Sequence, residues 1–213
     1  MQKVKEACIE YFWLFVVGSI FGFFYEMILE FFRNGTLGMH KGLLYGPFCQ
    51  VYGIGLVTMV LLFRKIKKPI QLVVGGFIAG GVLEYLLSYI QEIVFHSKSW
   101  DYSNYPLNFD GRTSIFHMCF WALFVVFVMH YIYPHLKEKL RLFQTNIGKW
   151  ITLCCFLLLF ADVALSIAAT IRYRDRNEGI VASNPVEIFL DNTYTNERIE
   201  SIYRMSVPSK PKG

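Results

Sequence analysis

Five runs of about twenty apolar residues constrain this chain more than any other feature. They lie at about Tyr11–Phe32, Leu43–Phe63, Ile70–Phe95, Thr113–Tyr133 and Ile147–Ile171. A helix of about twenty apolar residues crosses the roughly 30 Å hydrocarbon core of a bilayer. Barrel strands are excluded, because they run about ten residues with apolar–polar alternation. Composition agrees. The 213 residues are 54% hydrophobic and 17% charged, with 20 Phe and 13 Tyr. A soluble domain carries about 25% charged residues. Disorder is excluded, since disordered chains are poor in aromatics. The net charge is +5, but Lys and Arg sit between apolar runs rather than on one solvated face. Nucleic acid is therefore not an expected partner. The expected fold is all-α: a polytopic membrane helix bundle of about five transmembrane helices over residues 1–171. A polar tail with short amphipathic helices follows over 172–213.

Lys3 and Lys5 before the first run read as an uncleaved signal anchor. Short loops on that side carry Arg64, Lys65, Lys67, Lys68, Lys137, Lys139, Arg141 and Lys149. The opposite loops carry Arg33, Lys41, Lys98 and Arg112. The excess places the N-terminus in the cytoplasm of a multi-pass protein of the bacterial cytoplasmic membrane. Arg172, Arg174 and Arg176 run against this, since five spans put them outside. The five cysteines lie in or beside apolar runs with no Cys-x-x-Cys pair, so packing thiols are expected and no metal site.

Two runs carry the same ladder. Gly18, Gly22, Glu26 and Glu30 recur every fourth residue in the first, and Gly76, Gly80, Glu84, Ser88 and Glu92 do so in the third. Residues four apart share a helix face. Glycines on that face let membrane helices pack closely, so Gly18, Gly22, Gly76 and Gly80 are candidate packing positions. Carboxylates in lipid are costly and turn toward the bundle or a wet cavity. Glu26 and Glu84 lie deep, and Asp162 in the fifth run is a further deep acid. The ladders suggest a parallel repeat of two-helix units.

The loops beside those glutamates add polar groups. Asn108-Phe109-Asp110-Gly111 reads as a tight turn that delivers Arg112 toward the glutamate zone. A guanidinium there is a natural partner for Glu84 or Glu26. His117 lies about a turn further on. Tyr45, Asp101, Asn108 and Lys41 complete a candidate cluster that suits either a polar ligand pocket or a structural charge network. No catalytic set is identified: hydrolase, zincin, Walker A and Rossmann motifs do not occur. No cofactor is expected. In the tail, Asn184-Pro185-Val186-Glu187 fits a capped helix start, and Thr195-Asn196-Glu197-Arg198 fits a second.

Two stretches together are distinctive: Lys41-Gly42-Leu43-Leu44-Tyr45-Gly46-Pro47-Phe48 with Tyr52-Gly53-Ile54-Gly55, and Glu84-Tyr85 with Trp100-Asp101-Tyr102-Ser103 and Gly111-Arg112. They resemble a bacterial multi-pass family of ABC-transporter permease type, CmpB-like. Gln50 departs from the more apolar residue that pattern carries. The resemblance implies a transport subunit, with ATP hydrolysis supplied by an ATP-binding subunit in trans. Membrane lipid and a second copy of the chain are the other expected partners. Two alternatives stay open: a membrane enzyme acting on a lipid or lipid-linked substrate, with Glu84 as base and Arg112 as anion binder, and a structural assembly factor.

Overall fold

In lipid, each backbone polar group needs a partner within the protein, which favours unbroken helices. The computed structural model describes residues 2–35, 42–95, 98 and 100–203. Lys41 lies outside them. Among the described residues, four helices are long and apolar enough to cross a membrane. Helix α1 spans Gln2–Asn34 and α3 spans Pro69–Phe95. Helix α4, Ile115–Phe127, continues through a π-turn at Val128–Ile132 into α5, Tyr133–Leu140, and a 3-10 turn at Arg141–Gln144. Helix α6 spans Asn146–Asn177.

The expected second span, from Leu43, is shorter than its apolar run. Helix α2 covers only Gln50–Phe63, 14 residues. That is about 21 Å at 1.5 Å per residue, less than the hydrocarbon thickness. Gly46 adopts φ +73°, outside the helical region. Pro47 follows it and disfavours helix at its predecessor. The irregular stretch before α2 takes its bonds from α6 instead. Leu44 N–H donates to Ser166 Oγ at 2.9 Å and Tyr45 N–H to Asp162 Oδ1 at 3.2 Å. Non-helical backbone at membrane depth is tolerated where protein satisfies it in this way. Gln50 ties the same stretch down by donating from Nε2 to the Gly42 carbonyl, 2.7 Å.

The fourth helix also differs from its expected end at Tyr133. Pro134 in a regular helix would clash with the carbonyl four residues back. The π-turn widens the coil just before it, with Tyr133 N–H bonding to the Val128 carbonyl. The helix therefore passes the proline instead of stopping.

Helices α1 and α2 form one closely packed hairpin, and α3 and α4 another. The two are built alike. A Cβ on Gly18 would meet Tyr52 O at 3.0 Å, Gly53 Cα at 3.1 Å and Leu56 Cβ at 3.1 Å. One on Gly76 would meet Val125 Cβ at 2.9 Å and Ala122 Cα at 3.1 Å. One on Gly22 would overlap the Tyr52 side chain, and one on Gly80 that of Trp121. Positions 18, 22, 52, 53 and 56 of the first hairpin thus correspond to 76, 80, 121, 122 and 125 of the second. Helix α2 joins them: Leu56 and Val60 pack with Leu14 and Val128, and Met59 and Phe63 with Leu72 and Val125.

The tail forms helix α7, Pro185–Thr193, and α8, Asn196–Ile202. Asn184 caps the first by accepting from Val186 N and Glu187 N, and Thr195 caps the second by accepting from Arg198 N. Both pack on α6, with Leu190, Tyr194 and Ile199 buried against Ala169 and Leu44. Arg172 and Arg176 lie on α6 itself and bind Asp191 of α7, at 2.7 and 2.6 Å.

Candidate functional site

The loop after α3 folds on its own polar groups. Asp101 Oδ1 accepts from Ser103 N–H at 2.9 Å and Ser103 Oγ at 2.5 Å. These bonds hold its carboxyl below the usual carboxylate range. Asn108 Oδ1 accepts from Gly111 N–H at 3.0 Å, while its amide donates to the carbonyls of Tyr105 and Ser103. Two short strands, β1 at Asn108–Phe109 and β2 at Thr113–Ser114, pair across the turn. Asp110 and Gly111 both take positive φ there, 51° and 67°, the backbone of an Asp-Gly hairpin turn. Asp101 and Asn108 therefore shape the loop, and each is engaged within it.

The turn brings two adjacent residues onto α3. Arg112, 6% exposed, pairs with Glu92 and donates from Nη1 to Ser88 Oγ at 3.3 Å. Its guanidinium lies 5.6 and 5.3 Å from the ring centroids of Tyr85 and Tyr89. Trp100 Nε1 donates to its carbonyl at 2.8 Å. Among the described residues, none hydrogen-bonds the buried Arg112 Nε. The sequence suggested Glu84 or Glu26 as the partner of Arg112. The turn instead sets Arg112 beside Ser88 and Glu92, one and two helical turns further along α3.

The next residue takes Glu84. Thr113 Oγ1 donates to Glu84 Oε2 at 2.7 Å, and Tyr102 Oη donates to Oε1 at 3.1 Å. Trp121 also lies near it. Glu84 is 8% exposed, and each of its two oxygens accepts from one of these hydroxyls. Glu26 accepts from Tyr52 Oη. Each deep glutamate thus lies one turn beyond a glycine that an aromatic ring covers, and in the first hairpin that aromatic residue, Tyr52, also bonds the glutamate. Tyr102 lies between the two hairpins electrostatically: burial, then Glu84, then Glu26 push its phenol up from the usual value. His117 stacks on Tyr102, centroids 3.6 Å apart, and its Nδ1 hydrogen-bonds Ser114 Oγ at 2.8 Å.

Tyr45 is placed with a different group. Its hydroxyl shares a 2.9 Å hydrogen bond with that of Tyr194, and its N–H goes to Asp162. Sequence reasoning missed Thr113 and Trp121 as partners of Glu84. The sequence signal available was position: Thr113 directly follows the turn arginine. Among the described residues, no group of three or more His, Cys, Asp or Glu side chains is arranged to hold a metal ion.

A family model described as "Putative ABC-transporter type IV" matches residues 13–167. No curated protein and no solved structure matches the chain.

Proposed function

We propose that this chain, which belongs to the CmpB family of ABC-transporter type IV proteins, is the membrane-embedded permease subunit of a transporter. ATP hydrolysis comes from a separate subunit. The observation that carries this reading is the duplicated hairpin. Each half places one glutamate at the equivalent position, one turn beyond a packing glycine: Glu26, half-buried and bonded by Tyr52, and Glu84, buried and bonded by Thr113 and Tyr102. Transporter folds are commonly built from internal repeats with the substrate route at the repeat interface. Charge inside a membrane is costly and tends to mark such routes.

In this reading the N-terminus is cytoplasmic and the chain passes the membrane several times. The loop Trp100–Arg112, the stretch before α2 and helices α7–α8 then share the outer face. Tyr102 and Thr113 close the outer end of the repeat interface by holding Glu84. Opening requires that these neutral donors release a carboxylate, at about 1.5–3 kcal/mol for each hydrogen bond to a charged group.

Affinity purification of the tagged chain from its native membranes tests the reading. An ATP-hydrolysing protein is expected to copurify. Reconstitution with no such protein and no solute movement with ATP would overturn it.

A further inference from the structure

A second polar site lies at the other end of the bundle, away from the glutamate ladders. A cavity of about 180 Å³ is lined by Glu6, Glu10, Lys137, Leu140, Arg141 and Gln144. That is room for roughly six waters at 30 Å³ each. Glu6 and Glu10 come from the first turns of α1, and the others from α5 and the 3-10 turn behind it. Tyr133 Oη donates to Glu10 at 2.7 Å and Gln144 Nε2 donates to the Glu6 carbonyl at 3.0 Å, so the walls are fixed to each other.

Among the described residues, no ion pair within 4.0 Å joins these carboxylates to Lys137 or Arg141, and both signs of charge face the space between them. Gln144 Oε1 is buried without a hydrogen-bond partner. A buried acceptor left open is costly unless a ligand completes it, and the half-buried carboxylates and exposed cations around it leave both signs of charge open to such a ligand. The cavity also sits at the edge of the bilayer region. The apolar run of α1 begins at Tyr11, next to Glu10. Trp13 stacks on Phe143 at 3.7 Å and donates to Thr152, and such aromatic residues mark the headgroup level.

We infer that this cavity binds a zwitterion that joins an ammonium group to a phosphate, as in an ethanolamine phospholipid headgroup. Glu6 and Glu10 accept from the ammonium N–H groups, and Gln144 Oε1 takes a further N–H. Lys137 and Arg141 bind the phosphate oxygens, for which a guanidinium offers paired donors. A trimethylammonium group has no N–H to give. The site therefore separates ethanolamine from choline headgroups.

Native mass spectrometry of the full chain tests this, with lipid retained from nanodiscs of phosphatidylglycerol mixed with either phosphatidylethanolamine or phosphatidylcholine. Phosphatidylethanolamine is expected to be retained, and phosphatidylcholine about fivefold less. Glu6→Gln and Lys137→Gln, at positions with exposed or half-buried side chains, are each expected to weaken retention about fivefold while the protein stays monodisperse. Soluble glycerophosphoethanolamine distinguishes the sources. Displacement of the lipid by it assigns the site to a free headgroup compound, and retention against it assigns the site to the lipid. Equal retention of the two lipids, or variants that retain phosphatidylethanolamine as well as the parent, would overturn the inference.

Discussion

Gly22 lies directly under the ring of Tyr52, close enough that a Cβ at position 22 would overlap it, and the same ring bonds Glu26 one turn away. Gly80 repeats the close approach under Trp121 in the second hairpin, one turn before Glu84. Gly22→Ala and Gly80→Ala should each destabilise the folded protein by about 1–3 kcal/mol through overpacking. Ile78→Ala, at a position 55% exposed, should change it by less than about 0.5 kcal/mol. Thermal unfolding in detergent reads the difference. Equal shifts for Gly80 and Ile78 variants would remove the close-packed hairpin from the account.

Arg112→Leu leaves Glu92 without its close partner and Ser88 without a donor. A loss of about 1.5–3 kcal/mol is expected. Adding Glu92→Leu should recover part of it, because the carboxylate that lost the arginine, and keeps Lys98 at 4.0 Å, is then gone. Chemical unfolding of the single and double variants checks this. A double variant that is less stable than either single one contradicts the pairing.

How far these features could be read in advance depends on what fixes them. The long helices α1, α3 and α6 follow from local apolar content, and their existence was legible. The start of α2 was not, because Gly46 and Pro47 break a run that is apolar enough to continue. The end of α4 failed in the opposite sense: the π-turn at Val128–Ile132 absorbs Pro134, which reads as a stop. The Gly-x-x-x-Gly ladders showed which faces pack, since spacing alone carries that. The partner of Arg112 depends on the exit direction of the Asp110-Gly111 turn. The Tyr45–Tyr194 bond joins residues 149 apart in sequence. Neither has a local signature.

The tail should loosen in acid. Hydrogen bonds from Arg172, with Arg176 added, hold the Asp191 carboxyl below its ordinary value of 3.8. A depressed folded value stabilises the docked tail above the ordinary value, and this is lost as pH falls through the folded one. A spin label at Phe189→Cys, on a background lacking the five native cysteines, should be restrained above the ordinary aspartate value of 3.8 and gain mobility only as the pH falls below it. Arg172→Gln should raise the midpoint. No difference in mobility across that range would contradict the ion pair.

The proposed topology counts α2 as a pass beside the four longer helices, which sets the two ends of the chain on opposite faces. On the same cysteine-free background, an impermeant maleimide added to intact cells should label Ser183→Cys and leave Lys3→Cys unlabelled. Labelling of both, or of Lys3→Cys alone, would reverse or break the proposed topology.

Glu84→Gln addresses the central claim. The substitution keeps the shape of the side chain and replaces one of the two oxygens that accept from Thr113 and Tyr102 with an amide nitrogen. The measurement is ATP turnover by the copurified complex in proteoliposomes. The account predicts that the variant complex assembles at the parent level and that its turnover falls about tenfold, as expected when about 1.4 kcal/mol of coupling is lost. An assembled Glu84→Gln complex that hydrolyses ATP at the parent rate would contradict it.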